Sequence, residues 1–244
     1  GPLLSRSGYG EQARFALRAL QSRPELFEIY VVNISWGQTG HITTNDEEHQ
    51  WILNRIQETV VYAQQGGTFD ISIQVTVPNE FEKIAPVNIG YTAGIETTKC
   101  SGQWLEKINA FVDRVITISA HSQKVLENTK YHVRDQHGNE IKDWGINVPV
   151  GYVSYPYNRA EPEPLEFNVD TTNNFLVVAQ WSPRKNLENT IRWFVEKFAE
   201  DSTAGLVIKT NTASDSIRDR ELTAQRLQVL LEPYPDRQCK VHLI

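Results

Sequence analysis

The sequence predicts an α/β protein built as two successive doubly wound domains, and three observations lead there. Short apolar or alternating runs and runs of helical spacing follow one another along nearly all of the 244 residues; this is the rhythm of parallel strands covered by helices on both faces. The rhythm breaks in a stretch poor in core-forming residues that holds Pro156, Pro162 and Pro164, and it restarts beyond. The composition, 40% hydrophobic and 22% charged, is that of an ordinary globular chain long enough for two cores. The predicted domains are therefore 1–160 and 161–244.

Taken in order, Ser5-Arg6-Ser7-Gly8-Tyr9-Gly10-Glu11 opens a helix with Ala13, Ala16, Leu17 and Leu20 at its apolar positions. Residues 28–34 read as a strand. Residues 47–65 read as a helix whose apolar side holds Trp51, Ile52, Ile56, Val60 and Ala63. Residues 69–77 alternate with period two and stop at Pro78. Residues 87–91 and 114–118 are short strands, with helices at 103–111 and 121–129. The polar, turn-rich segment 131–147 reads as a hairpin with His137-Gly138-Asn139 at its tip, and 150–155 as a further extended run.

Beyond the proline-rich stretch the pattern gives strand 175–180, helix 187–198, strand 205–209, helix 217–231 and an apolar run at 241–244. Leu187, Ile191, Phe194, Val195 and Phe198 recur at helical spacing. Three strands and two helices leave sheet edge and apolar faces uncovered, so the second domain is expected to be incomplete within this sequence. The lack of any methionine and the opening on Gly1-Pro2-Leu3-Leu4 create the same expectation at the other end, although Gly-Pro is also what a tag-removing protease leaves behind.

Composition removes several function classes. A net charge of −6 gives no general attraction to nucleic acid or to anionic membrane, so an anionic ligand must meet a local patch. Cys100 and Cys239, far apart in sequence, make neither a disulfide framework nor a zinc site, which fits a reducing compartment. No run is long and apolar enough for a transmembrane segment and no signal segment opens the chain, so the expected location is cytoplasmic.

Chemistry concentrates at strand-to-helix junctions. Trp181-Ser182-Pro183-Arg184-Lys185-Asn186 joins an apolar strand to a helix that Asn186 can cap, gathering two cations and free N–H groups where a diphosphate could bind; two adjacent cations also make an ordinary solvated turn. The loop through Gly8, Tyr9 and Gly10 lets the backbone approach a phosphate or sugar at a helix N-terminus, or simply opens a helix. It is neither a Walker loop nor a G-x-G-x-x-G fingerprint, since Ala13 stands at the third glycine's place.

After strand 87–91, Tyr91, Glu96 and Thr97 could hydrogen-bond sugar hydroxyls, while the alternative reading has Glu96 serving a helix cap. His121, closing the next strand, is either a solvent-facing first-turn residue or a group directed into a cleft. There is no D-x-D triplet to hold a metal-bound nucleotide diphosphate, no G-x-S-x-G, no H-E-x-x-H and no metal-ligand spacing among the six histidines, so no protein-bound metal is expected.

The glycine loop over residues 1–10, the Asn88-Ile-Gly-Tyr-Thr-Ala-Gly-Ile-Glu-Thr97 segment, Val115-Ile-Thr-Ile-Ser-Ala-His-Ser122 and Ser182-Pro-Arg-Lys-Asn186 together, in this order and spacing, resemble the family 4 retaining glycosyltransferases of GT-B fold, closest to their bacterial and phage-encoded branch. The resemblance implies two Rossmann-like domains, a nucleotide-sugar donor held mainly by the second and a carbohydrate, lipid or protein hydroxyl acceptor mainly by the first. It implies no cofactor and no metal. By position, Gly8, Tyr9 and Gly10 match the loop that approaches the diphosphate and reacting sugar. Arg184 and Lys185, with Asn186, match the basic turn that neutralises the leaving diphosphate, and Glu96 and His121 are the candidate catalytic residues. The family's region bearing two glutamates, which contact the donor sugar and ribose, would follow the last strand and is not reached by Ile244. A chain without it would hold the architecture without turnover, and the alternative function is a non-catalytic carbohydrate- or nucleotide-binding module of the same fold.

Overall fold

The structure, a computed structural model, describes residues 1–37, 39–134, 137–163, 169–213 and 216–244. The chain forms two compact units, one comprising Gly1–Trp36 and Ile42–Asn158, the other Gly37–His41 and Arg159–Ile244. Each is a mixed α/β unit with a parallel sheet.

In the first unit, helix α1 (Gly8–Gln21) and helix α2 (Glu47–Gln64) precede strand β1 (Ile71–Val75). A 3-10 turn at Pro78–Glu80 leads to β2 (Val87–Tyr91), then α3 (Gly102–Phe111), β3 (Arg114–Thr117) and α4 (Ala120–Asn128). The hairpin β4 (Tyr131–Arg134) and β5 (Glu140–Trp144) follows, then β6 (Val150–Tyr152). The order β1-β2-β3-β6 is parallel throughout, with Val75 opposite Tyr91 and Val115 opposite Val150. Because β2, β3 and β6 succeed one another in one direction, right-handed crossovers place α3 and α4 on the same face. There Leu105, Ile108, Val125 and Leu126 bury Val115 and Phe81. The opposite face, with Ile73, Val75 and Tyr91, is covered by Ala13 and Leu17 of α1 and Ile52 of α2. The expected helices on both faces are present in this unit.

The strand predicted over 28–34 is not part of a ladder. Val31 is buried there and Val32 exposed, but the segment's hydrogen bonds go to separate partners. The Gly1 amino group donates to the Val32 carbonyl (3.2 Å) and the Ile34 N–H to the Gly1 carbonyl (3.2 Å), the pattern of a parallel pair confined to one residue. The Val31 N–H donates instead to Thr59 Oγ1 at 2.7 Å. Gly1 also lies against Val75 at the end of β1. The Thr59 contact explains a second difference: α2 turns Ile52 and Thr59 inward and leaves Val60 and Ala63 exposed, because the hydroxyl meets a backbone donor that a valine could not satisfy.

The predicted hairpin is antiparallel, pairing Val133 with Ile141, and Gly138 at its tip takes a φ of 84°. Residues 153–163 carry no regular structure, and the proline-rich boundary continues into residues 164–168, which lie outside the described residues.

The second unit runs β7 (Asn173–Val178), a 3-10 turn at Pro183–Lys185, α5 (Leu187–Phe198), β8 (Ala204–Lys209), α6 (Ile217–Leu231) and β9 (Lys240–Leu243). Its sheet is parallel in the order β7-β8-β9, so both crossover helices fall on one face. Leu187, Ile191, Phe194 and Val195 of α5 pack there on Leu206 and Ile208 with Leu227 and Leu230 of α6. On β7 the side chains between those of the helix-covered face stay open, Leu176 being 68% and Val178 66% exposed. Among the described residues no helix is long and apolar enough to cross a membrane.

Candidate functional site

The carboxyl end of the first unit's sheet gathers three of the sequence motifs: the loop before α1, the loop after β2 and the cap of α4 after β3. Of these, the glycine loop is the most tightly built. Ser7 caps α1, its side chain accepting from Gly10 N–H at 3.0 Å, and Ser5 Oγ donates to Ser7 Oγ at 2.9 Å. A Cβ on Gly10 would stand 2.1 Å from the Ser5 carbonyl oxygen, so only glycine fits. Gly8 differs: it is exposed, and a Cβ there would meet nothing within 4 Å. The packing of the protein therefore demands a glycine at position 10 and not at position 8. Gly8 and Tyr9 supply the first N–H groups of α1, positions that have no intrahelical acceptor.

Buried Arg14 holds this loop from behind. Its Nη1 donates to the carbonyls of Leu3 (2.7 Å) and Ser5 (3.1 Å), and its Nε and Nη2 engage Glu11. Tyr9 ties the loop after β2 to the same helix, donating to the Ala93 carbonyl and accepting from Ala93 N–H, both at 2.9 Å, with Thr92 Oγ1 at 3.0 Å. One donor and two acceptor positions are thereby used. Desolvation by burial holds the Tyr9 phenol above its ordinary range. Tyr9's hydroxyl thus positions two loops, and its ring packs on Trp36 at 4.6 Å between centroids.

Glu96 is exposed in the loop after β2, and the helix cap that was its alternative role belongs to Ser101, which accepts from Gln103 N–H. Thr97 spends its hydroxyl donor on the Lys99 carbonyl (2.6 Å), while Tyr91 is buried in the core. His121 is an exposed first-turn residue of α4, beside the Ser119 cap that accepts from Ser122 N–H.

In the second unit, the Arg-Lys turn occupies the carboxyl end of β7. Arg184 and Lys185 are exposed on the 3-10 turn, with Lys185 N–H donating to the Ser182 carbonyl at 3.1 Å. Asn186 does not cap α5 in the way its residue type suggests. It stands at the N-cap position with φ 53° and ψ 34°, in the left-handed region, and its side chain accepts from Asn189 Nδ2 and not from a backbone amide. An N-cap side chain reaches the N2 or N3 amide from an extended backbone, and the tight turn through Pro183 removes that geometry. The result is a helix amino end without a side-chain cap, behind two cations.

What orients this turn was not legible locally. Trp181 is buried, its indole N–H donating to Glu188 Oε1 (3.4 Å), and the Arg226 guanidinium covers its ring at 4.7 Å while Nη2 bonds the same carboxylate at 2.5 Å. The hydrogen bond from Arg226, helped by that from Trp181, holds the Glu188 carboxyl below its ordinary range. Asp219 similarly organises the loop after β8, accepting from the amides of Thr212 (3.2 Å) and Ala213 (3.0 Å).

The structure brings Gly8, Tyr9, Gly10, Glu96 and His121 to one sheet edge, and Arg184, Lys185 and Asn186 to the equivalent edge of the other unit's sheet. Arg14, Gln12, Glu188 and Asp219 were missed by sequence reasoning, and Trp181 was noted only as the start of the Arg-Lys segment. Only Arg14 left a signal, as a cation three residues after Glu11 on a predicted helix. No family model, curated protein or solved structure matches the chain.

Proposed function

We propose that the chain is a retaining glycosyltransferase that moves a sugar from a nucleotide-diphosphate sugar to a hydroxyl acceptor without a bound metal. The observation that carries this reading is a shared architecture: each unit presents, at the carboxyl edge of a parallel sheet, a helix amino end open to an anion. Gly8 leads one, and Arg184 with Lys185 flanks the other. Open α/β sheets bind ligands at such edges, and helix amino ends favour phosphate.

In this reading Arg184, Lys185 and the first amides of α5 offset the charge that grows on the departing diphosphate. The bond from the anomeric carbon to the phosphate oxygen breaks, and the acceptor oxygen bonds to that carbon on the same face. The acceptor proton passes to the departing phosphate oxygen.

Calorimetric titration with uridine, guanosine and adenosine diphosphates tests the proposal; binding of one of them, competed by pyrophosphate and weakened in Arg184→Ala and Lys185→Ala, is expected. The absence of binding by any nucleoside diphosphate refutes it. A binding module without turnover is the second reading, favoured by the solvent-exposed positions of Glu96 and His121. Nucleotide-sugar binding with neither transfer nor hydrolysis selects that alternative.

A further inference from the structure

After β6 ends at Tyr152 the chain does not leave the first unit. Val153 N–H donates to the Thr117 carbonyl at 2.8 Å, carrying the chain across the end of β3. Tyr155 then donates its hydroxyl to Gln12 Oε1 at 2.9 Å, a contact across 143 residues to a side chain only 1% exposed. Asn158 Nδ2 reaches Glu11 Oε1 at 3.3 Å. Immediately beyond, Arg159 and Glu161 are more than 80% exposed and pair only loosely at 3.4 Å, and Arg159 opens the longer of the second unit's two segments. Glu11 and Gln12 directly follow Gly10, and Glu11 is also a partner of the Arg14 that holds the glycine loop.

We infer that residues 153–158 are a strap that fastens the start of the inter-unit connection to the helix bearing the glycine loop, so that the order of the loop and the freedom of the connection are linked. The linkage is mutual: loosening the strap loosens the amino end of α1, and a ligand that orders that end tightens the strap. Although Tyr155 is 43% exposed as a residue, desolvation of its phenol, then the nearby Tyr9 and Tyr91 hydroxyls, push it up to about 12, which suits a donor role. Only the ligand half of this linkage rests on the proposed function; the strap itself does not.

Hydrogen–deuterium exchange on wild type, Tyr155→Phe and the double variant Gln12→Leu with Tyr155→Phe is the test. Tyr155→Phe removes the hydroxyl that donates to the buried Gln12 oxygen. Exchange should quicken about fivefold both in 153–158 and in 7–12, the factor that a net hydrogen bond of about 1 kcal/mol represents, while the hairpin and the second unit stay unchanged. In the double variant, which removes both polar partners, exchange in 7–12 should recover while 153–158 stays fast; this separates a link from a simple packing defect. Quickening in 153–158 alone, or recovery of both segments together, overturns the inference. Uridine diphosphate added to wild type should slow both segments; if it binds without slowing 153–158 the linkage fails, and if it does not bind, the outcome counts against the proposed donor and the ligand-free comparison still decides the strap.

Discussion

Alanine at Gly10 and alanine at Gly8 should act in opposite directions, two residues apart in one loop. At position 10 a Cβ would sit 2.1 Å from the Ser5 carbonyl oxygen and 3.0 Å from that of Pro2. Ser5 O cannot swing aside freely because the buried Arg14 guanidinium donates to it. Relief requires the loop to open, at an overpacking cost of about 1–3 kcal/mol, and it weakens the Ser7 cap on Gly10 N–H, worth about 1 kcal/mol. The sum is about 2–4 kcal/mol. At position 8 nothing lies within 4 Å, and alanine restricts the unfolded chain, so the change is neutral or stabilising by up to about 1 kcal/mol. Urea unfolding followed by tryptophan fluorescence reads both effects as midpoint shifts at constant slope. A Gly10→Ala protein as stable as wild type would falsify the loop packing described here. Gly8→Ala, being well folded, also isolates the ligand question: a methyl group at the approach point should weaken nucleoside diphosphate binding at least tenfold, about 1.4 kcal/mol, and undiminished affinity removes Gly8 from the site.

Arg184→Ala and Lys185→Ala each delete a charge-assisted contact of about 1.5–3 kcal/mol, so affinity for the diphosphate, and any transfer rate, should fall at least about tenfold, with the wild type indifferent to EDTA; full function in both variants, or abolition by EDTA, returns the turn to a solvated loop. Thr59→Val removes the acceptor of the Val31 N–H and should cost about 1–3 kcal/mol, checked by thermal unfolding; a neutral result means that Val31 finds another partner. Glu188 has a carboxyl held low by Arg226, so its contribution is complete above the ordinary carboxylate range and is lost as pH falls through its lowered value. Stability measured from about pH 6 to 3 should therefore decline more in wild type than in Glu188→Gln, by under about 1 kcal/mol for a half-exposed pair; parallel curves contradict the assignment.

Most of the architecture was readable because strand and helix periods differ. The runs at 87–91, 187–198 and 217–231 match β2, α5 and α6 within a residue at either end. The failures come from hydrogen bonding and backbone geometry that hydrophobic periodicity does not encode. Residues 28–34 have the composition of a strand, but their donors are met by Gly1 and Thr59 and not by a neighbouring ladder. Residue type alone suggested that Asn186 would cap α5, whereas the Pro183 turn sets its backbone in the left-handed region. At the site, the spacing of Gly8 and Gly10 was visible, but their different roles were not, since they depend on where the Ser5 carbonyl lies. Tyr9 looked like a ligand contact because it lies between two glycines; its hydroxyl is spent on Thr92 and Ala93, 83 and 84 residues away.

The direction of winding in the first unit has a consequence for how its chemistry can change. From β1 the sheet advances steadily through β2 and β3 to β6, while Gly1, against the end of β1, takes its hydrogen bonds from the segment at 32–34 on the way to α2. Helices α1 and α2 therefore go to one face and α3 and α4 to the other, and the connections part at the carboxyl edge. The rim there is drawn from three stretches far apart in sequence, around residues 5–10, 92–99 and 119–121, whose exposed members contribute nothing to either core. Substitutions at Glu96, Thr98 or His121 can then accumulate at little cost to folding, while Gly10, Arg14 and Tyr9 keep the rim in place. If the proposed function holds, ligand preference is free to drift on a frame that does not, and a library confined to those exposed rim positions should yield many folded variants with altered nucleoside diphosphate binding.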